Sequence, residues 1–83
     1  MPKIPRGLSG RQLTRLLEEF GYTVSRQQGS HIRVEATVAK GSHRLTIPDH
    51  DVVKIGTLNA ILAEVASAAG LTKGELATRL FGE

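Results

Sequence analysis

Leu13, Leu16, Leu17 and Phe20 recur at i, i+3, i+4 and i+7, a spacing that predicts an amphipathic helix over residues 10–20. Ser9 is placed to cap it, Gln12 follows three residues later as in a capping box, and Leu8 and Leu13 hold the staple positions. Gly21 supplies the stop. From Tyr22 the period changes to two. Tyr22 and Val24 alternate with Thr23 and Ser25; Ile32, Val34, Ala36 and Val38 with His31, Arg33, Glu35 and Thr37; Leu45 and Ile47 with Arg44 and Thr46, until Pro48. Gln28-Gly29 and Lys40-Gly41 are the turn signals between these three short strands, which form an antiparallel meander. Beyond a loop over 49–56, Thr57 is the expected cap of a second long helix whose face is Leu58, Ile61, Leu62, Val65 and Ala69, ended by Gly70. Thr72 and Glu75 form another capping box ahead of Leu76, Leu80 and Phe81, which predicts a short third helix.

The order α-β-β-β-α with a C-terminal helix defines an α+β fold, with the helices on one face of a three-stranded antiparallel sheet. Eighty-three residues hold one domain, with residues 1–8 as an N-terminal arm and 71–83 carrying the short helix. Strand side chains point to alternate faces. The apolar sets therefore meet the helices, and the uncovered face presents Thr23, Ser25, His31, Arg33, Arg44 and Thr46. His43 has the parity of the helix side.

The three aromatic residues, Phe20, Tyr22 and Phe81, are too few to fill a core, so the packing must be aliphatic. With no cysteine, disulfides, thiolate metal sites and cysteine nucleophiles are excluded. The apolar run over 58–71 is broken by Asn59, Glu64 and Ser67 and falls short of the ~20 residues a membrane span needs. Residues 1–6 carry no hydrophobic signal core, so a cytoplasmic protein is expected. The net charge of +3 hides an asymmetry: residues 1–48 hold eight Lys/Arg against three acids, and residues 49–83 hold three against five. An arginine-rich first half suits a phosphate backbone, and equally a solvated basic surface.

Chemistry concentrates on the open face. Arg33 and Arg44 have the fork geometry for phosphate. An imidazole, as at His31, can take or give a proton near neutral pH. Cleavage of RNA needs a base for the 2′-hydroxyl, an acid for the leaving 5′-oxygen and positive charge at the phosphate. Gly29 offers close backbone approach, and Ser30 a hydroxyl and an amide. An exposed histidine beside arginines equally suits simple binding, so a non-catalytic RNA-binding module is the alternative. His43, Asp49, His50 and Asp51 are metal-ligand types, but adjacent residues do not easily converge on one ion, and a hydrogen-bonded loop accounts for them better. No nucleophile elbow and no Walker lysine is present. The echo of Gly29-Ser30-His31 in Gly41-Ser42-His43 is too short for a repeat.

Gln27-Gln28-Gly29-Ser30-His31, then Leu45-Thr46-Ile47-Pro48-Asp49-His50, then Gly56-Thr57-Leu58-Asn59-Ala60-Ile61-Leu62 resemble the HicA-type (YcfA-like) mRNA interferases, toxins of toxin–antitoxin pairs. The resemblance covers most of residues 9–81. It implies a fold like the double-stranded-RNA-binding domain and cleavage of mRNA without a metal or other cofactor, with His31 as the catalytic residue. It also implies a HicB-type antitoxin that covers the site. Gly29, Ser30, Arg33, Arg44 and Lys54 are then the expected RNA contacts. His43, His50 and Lys54 are candidates for the second proton-transfer group. The chain departs from many relatives in placing Glu35 on the open face and in the acidic character of residues 49–53, where Lys54 is the one cation before Gly56. The sequence leaves self-association open.

Overall fold

The first helix obeys its capping signals. In the computed structural model, which describes residues 4–38 and 41–82, α1 runs Gly10–Leu17 and tightens into a 3₁₀ turn, Glu18–Phe20. Ser9 and Gln12 close the capping box from both sides, the Gln12 amide N–H donating to the Ser9 hydroxyl and the Ser9 N–H to the Gln12 side chain. Three strands follow, β1 (Thr23–Gln28), β2 (His31–Val38) and β3 (Gly41–Pro48), paired antiparallel in the order β1-β2-β3. Then come α2 (Ile55–Ala69) and α3 (Lys73–Phe81). This is the α+β order expected from the periodicity. Lys40, half of the second turn signal, lies outside the described residues, as does the side chain of Val38.

The core is aliphatic, as the composition requires. Leu13 and Leu17 of α1, Ile32, Val34 and Ala36 of β2, Leu45 and Ile47 of β3, and Leu58, Ile61, Leu62 and Val65 of α2 are buried in one cluster, which α3 joins through Leu76 and Leu80. Both α1 and α2 pack against β3. Burying a side chain of this size stabilises the fold by about 1.5–3 kcal/mol, so these residues decide which sheet face is covered. Among the described residues no single helix is long and apolar enough to cross a membrane.

Two expectations are corrected. The cap of α2 is Lys54, not Thr57: the helix begins at Ile55, and the Leu58 N–H donates to the Lys54 carbonyl at 2.9 Å. Lys54 makes no side-chain capping bond, and Gly56, which reads as loop, lies inside the first turn. At the other end Ala66 is buried, whereas Ala69, on the same stripe but the last residue of the helix before Gly70, is exposed. The Thr72–Glu75 capping box forms as expected, and its hydrogen bonds from Thr72 hold the Glu75 carboxyl below its ordinary pKa.

The second correction concerns β1 and positions the site. Thr23 pairs with Glu35 and Val24 with Val34, but the next pair is Arg26 with Arg33, so Ser25 is the extra residue of a β-bulge. A bulge inserts one residue and resets the alternation. Arg26 and Gln28 therefore face the open side with Arg33 and His31, and Ser25 leaves the regular alternation, its hydroxyl donating to the Arg33 carbonyl at 3.3 Å. Every residue of β1 is exposed. Val24 has the helix-side parity of its partner Val34 yet is 51% exposed, because the helices stop short of this edge.

Candidate functional site

Cross-strand partners share a face, so the register lays out the open side in three rows. Gln28, His31 and Pro48 form the first; Arg26, Arg33 and Thr46 the second; Thr23, Glu35 and Arg44 the third. Successive rows are two residues, or roughly 7 Å, apart along the strands. The first two rows enclose an open cavity of about 350 Å³ lined by Arg26, Gln28, His31, Arg33 and Thr46. The lining carries two guanidinium groups, one imidazole, an amide and a hydroxyl, and no carboxylate.

His31 opens β2 directly after the two-residue loop Gly29-Ser30. Gly29 has φ +58° and Ser30 does not have positive φ, the pattern of a II′ hairpin turn. The glycine is therefore required by the turn itself, whatever else its bare backbone allows. The hairpin tip is tied to the end of β3, where the Asp49 N–H donates to the Ser30 carbonyl at 2.7 Å.

Asp49 anchors this end of the sheet. Its carboxylate accepts from Arg11 Nε at 3.2 Å and from the Gln27 amide at 3.0 Å, and the pairing raises the Arg11 guanidinium further above its ordinary pKa. The hydrogen-bonded loop reading of residues 49–51 thus describes Asp49. Among the described residues no three His, Cys, Asp or Glu side chains are gathered as a metal site. Arg11, part of the basic half of the sequence, is committed to Asp49.

The other candidates are dispersed. Arg44 lies on the open face as its parity requires, but in the third row, with its Nε 3.5 Å from the Glu35 carboxylate. It does not line the cavity. His43 is the cross-strand partner of Ala36 and points to the helix side, where its Nδ1 shares a 2.6 Å hydrogen bond with the Tyr22 hydroxyl and the two rings meet edge to face. Burial, with a smaller contribution from Glu64, pushes the Tyr22 hydroxyl above its ordinary pKa. His43 is thus placed in packing, across the sheet from His31. His50 is exposed two residues beyond Pro48, the partner of His31, and its carbonyl accepts from the Gly10 N–H at 3.0 Å. Lys54 is exposed at the start of α2 and also lies outside the cavity lining.

Counting alternation from Tyr22 misses Arg26 and Gln28. Uninterrupted period two would send Arg26 to the helix side. The available signal was chemical: an arginine and two glutamines in succession do not suit a face packed on helices.

Comparison with known proteins places the chain beside a known family. A family model described as the HicA toxin of bacterial toxin–antitoxin systems matches residues 10–68, a span that includes α1, the whole sheet and nearly all of α2. No curated protein and no solved structure matches the chain.

Proposed function

The chain belongs to the HicA toxin family of bacterial toxin–antitoxin systems, and from that premise we propose that it is an mRNA-cleaving endoribonuclease with His31 as its catalytic residue. The observation that carries the reading is the composition of the cavity: one imidazole beside two arginines, with no carboxylate among the lining residues. Such a surface attracts a phosphodiester and offers a single group that exchanges protons near neutrality. His31 takes the proton of the 2′-hydroxyl, the 2′-oxygen attacks phosphorus, and the bond to the 5′-oxygen breaks. The products are a 2′,3′-cyclic phosphate and a 5′-hydroxyl. Arg33 holds the phosphate and offsets the charge that builds on its oxygens. Ser30 and Gly29 shape the approach beside His31. Of the groups considered for protonating the leaving oxygen, His50 and Lys54 follow the end of β3 nearest His31, whereas His43 lies across the sheet. Lys54 and Arg44 remain as outer contacts to a longer RNA.

The test is product chemistry. Purified protein incubated with RNA in excess EDTA should release 2′,3′-cyclic phosphate ends at an undiminished rate. RNA bound but left uncut would instead identify a non-catalytic binding module of the same fold.

The same reading defines the inhibitor and the setting. An antitoxin of HicB type that presents acidic and apolar groups to the Arg26–Arg33 face silences the toxin by covering it, and an mRNA substrate places the pair in the cytoplasm. Saturating antitoxin should therefore protect His31 from diethyl pyrocarbonate and exclude RNA. An imidazole that stays reactive in the complex would rule out direct occlusion.

A further inference from the structure

Arg26 and Arg33 are direct cross-strand partners on the open face, both exposed and both lining the cavity. Like charges directly opposite each other destabilise a sheet. One row away the same face shows the usual remedy, Glu35 beside Arg44 at 3.5 Å. The ion pairs among the described residues are Arg44–Glu35 and Arg11–Asp49, and neither involves Arg26 or Arg33. The bulge at Ser25 is what aims Arg26 at Arg33, and bulges often serve to re-aim a side chain beside an active site. Thr46 completes the row on β3, so two guanidinium groups and a hydroxyl line up across all three strands.

We propose that this row is a clamp for a second phosphate, the one next to the scissile phosphate in a single-stranded RNA. The proposal rests on the ribonuclease reading for its substrate. Rows lie roughly 7 Å apart along the strands, comparable to the step between neighbouring phosphates of an extended polynucleotide. A strand that sets its scissile phosphate between His31 and Arg33 brings the adjacent one onto Arg26, and the Arg33 guanidinium, with its five donors, bridges the two. In the third row the Glu35 carboxylate offsets the charge of Arg44, so a further phosphate is held more weakly there. The sheet face thus recognises two consecutive phosphates, and Gln28, beside His31 in the first row, is left to face the nucleotide between them.

The clamp is tested with a 2′-deoxy trinucleotide, which keeps both phosphates but cannot be cleaved. Its affinity is measured against salt for the wild type, Arg26→Gln and, as a control on α3, Arg79→Gln. The dependence of log affinity on log salt should be shallower by about 0.7 in Arg26→Gln, the value for one lost phosphate contact on a single strand, and unchanged in Arg79→Gln. Replacing one of the two phosphates by a neutral methylphosphonate should weaken wild-type binding roughly tenfold, as loss of a charge-assisted contact does. The same replacement should cost Arg26→Gln almost nothing further. An unchanged salt slope in Arg26→Gln, or equal methylphosphonate losses in both proteins at either phosphate, overturns the clamp. Cleavage is scored separately on the ribo-trinucleotide. A wild type that shows the clamp signature but leaves that RNA uncut supports the clamp and removes the ribonuclease reading instead.

Discussion

Replacing His31 by alanine should lower RNA cleavage about a thousandfold, the scale on which general acid–base groups act, while the fold survives intact. His31 is exposed on the open face, with Gln28 and Pro48 as its cross-strand neighbours and the core on the other side of the sheet. Substitutions at such positions usually change stability by no more than about 0.5 kcal/mol. For a domain of this size that is a shift in Tm of no more than roughly 4 °C. RNA affinity should fall only a few-fold, because Arg26 and Arg33 remain. Thermal melts, anisotropy with a non-cleavable oligonucleotide and single-turnover cleavage separate these three quantities. Growth arrest on expression should disappear with cleavage. A His31→Ala protein that melts like the wild type and still cuts RNA at the full rate would remove this residue from the chemistry and direct attention to His50.

The fold was legible wherever one local rule acted alone. Ser9 and Gln12, and Thr72 and Glu75, announce two helix starts because the capping box is a contact within four residues. Ile32, Val34 and Ala36 announce the buried face of β2 because their alternation is unbroken and both neighbouring strands support it. What stayed hidden depends on partners distant in sequence. The bulge at Ser25 has no glycine to mark it, and it is set by how β1 registers on β2. A single inserted residue moved Arg26 and Gln28 from the expected covered side to the cavity. The pairing of Arg44 with Glu35 and the double engagement of Asp49 by Arg11 and Gln27 are likewise products of tertiary register. His31 was legible as an open-face residue because its strand is the central one, where parity cannot slip without exposing Ile32 and Val34. Lys54 misled in the opposite way. It carries no side-chain cap, so nothing local marked the true start of α2, and the Thr57 hydroxyl was a plausible decoy.

The second large effect is structural and falls on a glycine far from any turn. Gly10 is the first residue of α1 and is buried against the end of β3, where its N–H donates to the His50 carbonyl at 3.0 Å. A Cβ built there would overlap the Pro48 carbonyl oxygen and lie 2.9 Å from the carbonyl carbon and 3.1 Å from Asp49 Cα. All three are backbone atoms, so no rotamer change can relieve the overlap. The helix end must separate from the strand, disturbing the Gly10–His50 bond, the Thr14 hydroxyl that donates to the Gly10 carbonyl, and the Arg11–Asp49 pair. Gly10→Ala should therefore cost about 3 kcal/mol, lowering Tm by more than about 10 °C. Gly56 gives the opposite result. It lies in the first turn of α2 with nothing within 4 Å of a built Cβ, so Gly56→Ala should stabilise by up to about 1 kcal/mol through helix propensity and a less flexible unfolded chain. The pair also reads out the site. Pro48 is the cross-strand partner of His31, and Asp49 holds the Ser30 carbonyl. Gly10→Ala, assayed well below its own Tm, should thus cleave RNA more slowly than its folded fraction predicts, whereas Gly56→Ala should cleave at the wild-type rate. If Gly10→Ala melts within about 3 °C of the wild type, the helix end yields without strain, and the coupling of α1 to the His31 hairpin through Pro48 and Asp49 is wrong.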